Sequence, residues 1–356
     1  MKAEILEALD DLVRERGISR EVLVEAIEAA LISAYRRNFG SAQNVRVHFD
    51  PQTGDYRVYA QKEIVEHVED PRLQVSLEEA RSINPSLSLG DILEVEVTPR
   101  NFGRIAAQTA KQVVVQRIRE AERGVIYEEY SSREGDIVTA LVLRQDAKTK
   151  AVYVELAKNV EAVIPANEQI PGERYHENQR VKAYVIEVKR TPKGPAISLS
   201  RTHPGLLKRL FELEVPEIHD GIVEIKGIAR EAGSRSKIAV YSREENVDPV
   251  GACVGAKGMR VQNIVNELQG EKIDVVEWSP DPAVFVSKAL SPAKVISVDC
   301  DEATRIARVV VPDYQLSLAI GKEGQNARLA AKLTGWKIDI KSESQVNAAG
   351  GHGDQT

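Results

Sequence analysis

The sequence predicts an α+β multidomain chain, and three observations carry that reading. A short unit appears twice in the last third, as Val254-Gly255-Ala256-Lys257-Gly258 and as Ile320-Gly321-Lys322-Glu323-Gly324, each with a helical pattern behind it. Five strand-like segments crowd residues 134–200. The first 130 residues combine two amphipathic helices, a hairpin and one long helix. At 356 residues the chain has room for about two to four domains, each with its own core.

In order, residues 1–40 read as two helices. Ile5, Leu9, Leu12 and Val13 form one stripe, Gly17 breaks it, and Ser19 is placed to cap the next helix. Leu23, Ala26, Ile27, Ala30, Leu31 and Ala34 form the second stripe, and Gly40 is a natural stop. Val45–Phe49 and Tyr56–Tyr59 flank a Pro/Gly turn and predict a hairpin. Leu77–Arg81 suggests a short helix, and 92–97 alternates as a strand. Phe102, Ala106, Ala110, Val113, Val114, Ile118 and Ala121 then repeat at helical spacing through a helix of about residues 102–130, whose second half is more polar.

Charge and cysteine content narrow the class. The formal net charge is −6, and residues 1–130 carry 17 Lys and Arg against 23 Asp and Glu, so the acidity sits in the first third. A nucleic-acid footprint must therefore be local, with a shallow salt dependence. Cys253 and Cys300 lie in apolar segments without a C-x-x-C pair, which favours a reducing cytoplasm over a zinc or disulfide framework. The opening residues run straight into a charged helix, with no signal-peptide pattern, and no run approaches the roughly 18 apolar residues of a membrane span.

Between 134 and 200 the predicted strands are 135–142, 151–156, 161–164, 180–188 and 195–201, a density that suggests a small barrel. Gly135-Asp136-Ile137-Val138, Glu161-Ala162-Val163-Ile164-Pro165 and Ile197-Ser198-Leu199-Ser200-Arg201, in that order, resemble the S1 version of the OB-fold, an RNA-binding barrel. Tyr153 and Tyr184 are its strand aromatics, and packing is at least as good a reading for them as base stacking. Lys182, Lys189 and Arg190 are its candidate phosphate contacts.

The duplicated unit follows. Helix Leu206–Glu214, strands 221–232 and 235–242, then helix, loop, helix and strand make one copy; helix 282–290, strands 294–298 and 305–311, then the same ending make the next. Val261, Ile264, Val265 and Leu268 line one helix face after the first loop, and Ala327, Ala330 and Ala331 take the same phase after the second. Each helix leads through a Gly into a Lys-Ile-Asp strand, so an internal duplication is expected. Glycine lets a phosphodiester backbone approach main-chain N–H groups, and a helix N-terminus favours an anion. This G-x-x-G loop within an αββααβ order resembles the type II KH module, whose loop clamps backbone nucleotides.

Gln108-Thr109-Ala110-Lys111-Gln112-Val113, Glu214-Val215-Pro216-Glu217-Ile218, Asp248-Pro249-Val250-Gly251-Ala252-Cys253-Val254-Gly255, and Ala319–Asn326 with Leu333-Thr334-Gly335-Trp336 take the likeness further. Together with the domain order, they resemble the NusA family of bacterial transcription elongation factors over residues 2–345. The resemblance implies a polymerase-binding domain at 1–130, an S1 domain at 134–200 and KH domains at 201–279 and 280–344; the low-complexity composition after Ser344 predicts a disordered tail at 345–356. It further implies docking on RNA polymerase near the RNA exit region, tracking of nascent single-stranded RNA, and modulation of pausing, intrinsic termination and antitermination. Other transcription antitermination factors would be partners of a cytoplasmic monomer with no cofactor or metal.

Gly255, Gly258, Gly321 and Gly324 are the expected backbone cradle, with Ala256 and Lys257 between the first pair and Lys322 and Glu323 between the second. Lys257, Arg260, Lys322 and Arg328 are candidate phosphate or base contacts, and Gln325 and Asn326 candidate base readers. Glu323 is expected to point away from the RNA backbone or to bond a base, and Trp336 to be core. Asp299-Cys300-Asp301-Glu302 reads as a strand-end turn rather than a metal site. The sequence shows no nucleophile elbow, Walker loop or catalytic histidine, so an enzyme is not expected. Two alternatives are a nuclease, which needs a large catalytic domain, and a ribosome-associated RNA binder, which would sediment with ribosomal subunits.

Overall fold

A computed structural model of the chain describes residues 2–40 and 44–350. Two compact units divide near residue 125. Among the described residues no helix is long and apolar enough to cross a membrane.

In the first unit, α1 (Lys2–Arg16) and α2 (Arg20–Phe39) pack through Ile5, Leu9, Leu12, Leu23, Ile27 and Leu31. Ser19 does cap α2, its Oγ accepting from Val22 N at 3.3 Å. Strands β1 (Val45–Phe49), β2 (Tyr56–Val65), β3 (Gln74–Ser76) and β4 (Ile92–Glu96) form one sheet, with β2 pairing to the other three. Short α3 (Leu77–Ile83) covers a satellite core of Ile64, Val75, Ala80 and Leu93. Helix α4 (Phe102–Ser131) buries Phe102, Ala106, Ala110 and Val114 against α1, α2 and the hairpin, the stripe read from the sequence.

The second unit opens with a closed barrel of β5 (Ile137–Gln145), β6 (Val152–Ala157), β7 (Val160–Ile164), β8 (Arg180–Thr191) and β9 (Gly194–Ser200), in the order β5-β6-β7-β9-β8. Alternate residues fill it: Val138, Ala140 and Val142 from β5, Val181, Ala183 and Val185 from β8.

Two αββααβ units follow. The first has α5 (Pro204–Glu214), one-turn α6 (Pro216–His219), β10 (Val223–Glu231), β11 (Arg235–Ser242), α7 (Pro249–Val254), α8 (Met259–Glu267) and β12 (Lys272–Glu277). The second has α9 (Pro282–Ala289), β13 (Ser297–Asp301), β14 (Ile306–Val311), α10 (Leu316–Ile320), α11 (Gln325–Thr334) and β15 (Lys337–Ser342). In each sheet the middle strand pairs antiparallel to the first and parallel to the third.

The two units share a core. One face of the β10-β11-β12 sheet, through Val223, Ile238 and Val240, packs on α5 and α8. The other face supplies Ala229, Ala239 and Val276 to the cluster that holds Val286, Ala289, Leu329, Ala330 and Leu333 of the second unit.

Three expectations change. The buried residues of α11 are Asn326, Leu329, Ala330 and Leu333, a face shifted by one residue from the alanine stripe, because α11 is covered by its own sheet and also by β10 and β11 of the first unit. Strand β13 starts at Ser297 rather than Lys294, since Lys294 N is taken by the Gln315 side chain at 3.0 Å, and pairing runs from Ser297↔Val310 to Asp301↔Ile306. Asp299 and Cys300 are thus within the strand, and Asp301 closes the turn by accepting from Ala303 N at 3.0 Å. Residues 343–350 form a helix, α12, where a disordered tail is expected from 345; residues 351–356 lie outside the described residues.

Candidate nucleic-acid interface

The two G-x-x-G loops are built alike. Helix α7 ends at Gly255 (φ 76°, ψ 174°), a turn carries Lys257 into the left-handed region (φ 54°, ψ 25°), and Gly258 (φ 73°, ψ 14°) opens α8. The second loop repeats this with Gly321 (78°, 170°), Glu323 (54°, 26°) and Gly324 (73°, 14°). The sequence duplication is therefore a duplication of backbone shape.

The glycines of each pair do different work. Gly255 and Gly321 occupy a region open essentially to glycine alone. A Cβ at Gly255 would stand 2.7 Å from Arg260 Cγ, and one at Gly321 2.8 Å from Asn326 Cβ. Around Gly258 and Gly324 a Cβ would meet nothing within 4 Å, so these glycines face open space into which a ligand backbone can come. Each loop closes on itself, Gly258 N donating to Gly255 O and Gly324 N to Gly321 O, both at 3.1 Å. Gly255→Asn and Gly321→Asn are accordingly expected to destabilise by about 1–3 kcal/mol. Gly258→Asn and Gly324→Asn should cost about 1 kcal/mol or less, because asparagine tolerates the left-handed region; urea unfolding of the four variants checks this.

Ala256, Lys257, Lys322 and Glu323 are exposed at the loop tips. The other candidates in the helices behind the loops are engaged by protein partners. Arg260 Nη1 donates to Glu217 Oε2 at 2.9 Å and to Ala252 O at 2.7 Å. Arg328 donates from Nε and Nη2 to the Glu231 carboxylate (2.5 and 3.1 Å) and from Nη1 to Glu323 O (3.1 Å). Gln325 Nε2 donates to Glu231 Oε2 at 2.9 Å and Ser234 Oγ at 2.6 Å. Asn326 is 4% exposed, with Nδ2 on Leu290 O and Ala319 O at 3.0 Å each, so its side chain cannot read a base edge. It braces the loop from below, as the packed position after a glycine demands. Trp336 is core, 5% exposed.

Arg328, then Gln325, hold the Glu231 carboxyl down to about 2. A carboxylate lowered on folding contributes stability above its unfolded range, lost as the pH falls toward 2, so this contact is fully present at neutral pH.

On the barrel, Lys189 pairs with Glu187 at 2.9 Å, and the Arg190 guanidinium lies 4.3 Å over the Tyr127 ring. Lys182 is half-buried, and its backbone N donates to Glu267 of the first αββααβ unit at 3.0 Å. That strand edge is a junction rather than an open surface. Tyr184 stacks on His203 at 4.3 Å and 6° and packs against the core of the first αββααβ unit, which settles it as packing. Tyr153 is half-buried, with Arg144 at 4.1 Å over its ring.

The junction holds a buried network that the sequence pattern misses. Arg201 is fully buried; it donates to Lys182 O (2.7 Å), Glu267 Oε1 (3.1 Å) and Glu267 O (3.0 Å), and to both carboxylate oxygens of Glu173. Tyr175 Oη donates to Glu173 at 2.6 Å, and burial, then the Glu173 charge, push its phenol up. Arg230 bridges Glu271 (2.9 and 3.0 Å) to Arg201 O (2.8 Å). The carboxylate partners of Arg201 lie 28 and 66 residues away, beyond the reach of any local spacing rule.

A closed five-stranded barrel followed by two αββααβ units with matching G-x-x-G loops defines an S1–KH–KH array of the RNA-binding class. Family models agree: the NusA N-terminal domain matches residues 4–124, the S1 RNA binding domain 131–200, the NusA-like first KH domain 201–278 and the NusA-like second KH domain 282–348. The chain is 62% identical over 350 residues to the transcription termination/antitermination protein NusA of Halalkalibacterium halodurans, covering 98% of this chain and 91% of that protein. It is 62% identical to NusA of Bacillus subtilis (98% and 94% covered) and 45% identical to NusA of Thermus thermophilus (98% and 92%). The chain belongs to the NusA family of transcription termination/antitermination proteins.

Proposed function

We propose that this chain binds RNA polymerase through residues 1–130 and nascent single-stranded RNA through the S1 and KH domains, and so modulates pausing, intrinsic termination and antitermination. In this reading it is a binding factor rather than an enzyme, a cytoplasmic monomer joined on the transcription complex by other antitermination factors. The carrying observation is the loop geometry built twice on two cores joined by one sheet, each copy with a glycine facing open space. The RNA contacts proposed are Gly255, Ala256, Lys257 and Gly258 in the first loop and Gly321, Lys322, Glu323 and Gly324 in the second. Lys189 and Arg190 are secondary contacts on the barrel.

The first unit has its own core, which supports its use as an independent docking domain. Immobilised residues 1–130 are expected to retain RNA polymerase from a bacterial extract, and crosslinks from the full chain on a stalled transcription complex should map to both loops. Retention of ribosomal subunits instead of polymerase would sink the proposal.

A further inference from the structure

The turn between β10 and β11 belongs to the first KH unit, yet it touches the loop of the second. Both oxygens of Glu231 accept from Arg328, and Ser234 shares the Gln325 amide with Glu231. A two-pronged carboxylate–guanidinium pair fixes direction as well as distance. The third guanidinium nitrogen donates to Glu323 O, the carbonyl of the left-handed residue in mid-loop. A side-chain-bearing residue in that conformation costs about 1–2 kcal/mol and persists where its surroundings hold it.

The first loop is braced differently. Arg260 occupies the corresponding position after Gly255 that Asn326 occupies after Gly321, and its partner Glu217 lies on α6 of the same unit. In the first loop the arginine brace stays within its own unit; the second loop has Asn326 of its own unit and, in addition, a brace from its neighbour.

We infer that Glu231 of the first KH unit is a positioning residue for the RNA cradle of the second, acting through Arg328 on Glu323 O, so that locking of the two units adds to what holds the second loop in its RNA-binding shape. The inference rests on the proposed reading of the loops as RNA cradles. Arg328, with all three nitrogens committed, holds the loop and leaves phosphate to Lys322.

The test uses the full chain with the first loop disabled by Ala256→Asp and Lys257→Asp. Binding of a fluorescein-labelled single-stranded RNA of mixed sequence is followed by anisotropy across a salt series. Glu231→Gln, Arg328→Ala and Arg328→Lys should each weaken binding about tenfold, within the usual range of coupling between sites. The double variant Glu231→Gln/Arg328→Ala should be no weaker than either single variant. The slope of log affinity against log salt should stay that of the parent, because no phosphate contact is lost. Undiminished affinity in Glu231→Gln overturns the inference, and so does a slope reduced by about one in Arg328→Ala, which would make Arg328 a phosphate ligand. Lys322→Asp in the same background separates the two levels: if it weakens binding while Glu231→Gln does not, only the brace fails; if it too is silent, the cradle reading fails and the brace with it.

Discussion

Replacing Ala256, Lys257, Lys322 and Glu323 by aspartate together is expected to lower RNA affinity on the order of a hundredfold, about 2.7 kcal/mol, with the fold unchanged. Two cations are lost and carboxylates stand where phosphate would approach, so attraction becomes repulsion at both loops. Every replaced side chain is exposed, and aspartate tolerates the left-handed conformation of positions 257 and 323. Anisotropy titrations should also show a salt slope smaller by about two, one for each lysine removed. Circular dichroism and the melting temperature should match the parent. Full affinity in the fourfold variant would mean that RNA uses another face of the array.

Arg201→Met is the substitution expected to harm the fold most. It leaves the Glu173 carboxylate, itself fully buried, without its guanidinium, and strips two carbonyls, Lys182 O and Glu267 O, of their donor. Breaking a buried pair from one side costs about 3–5 kcal/mol. For a unit of this size that lowers the melting transition on the order of 10 °C. Pairing it with Glu173→Gln should recover part of the loss, because the stranded charge is then gone, and a double-mutant cycle of thermal melts measures the recovery. A melting point unmoved by Arg201→Met would show that this network does not hold the barrel to the first KH domain.

Local signals carried most of the fold. The Ser19 cap, the Gly40 stop, the period of α4 and the alternation of β5 and β8 are each properties of a few neighbouring residues, and each appears where its pattern lies. The pattern failed where a second layer intervened. The face of α11 is set by the neighbouring KH sheet, and the start of β13 by a glutamine on the turn before α10. The loops were legible because glycine's freedom is written in one letter. Which cations beside them are free was not legible: Glu217 and Glu231 capture Arg260 and Arg328 from 43 and 97 residues away. Exposed-looking arginines became braces, and the residues that decide this are acidic, the kind a search for RNA contacts passes over.

The sheet that serves two cores has a consequence for what the array can measure. With Ala229, Ala239 and Val276 seated among the helices of the second KH domain, the spacing of the two loops is set by packing within the protein. On the proposed reading, a strand held at both loops spans a constant number of nucleotides, and the molecule would work as a caliper. Lengthening the spacer between two preferred RNA segments by a single base should be felt as sharply as changing a base within them.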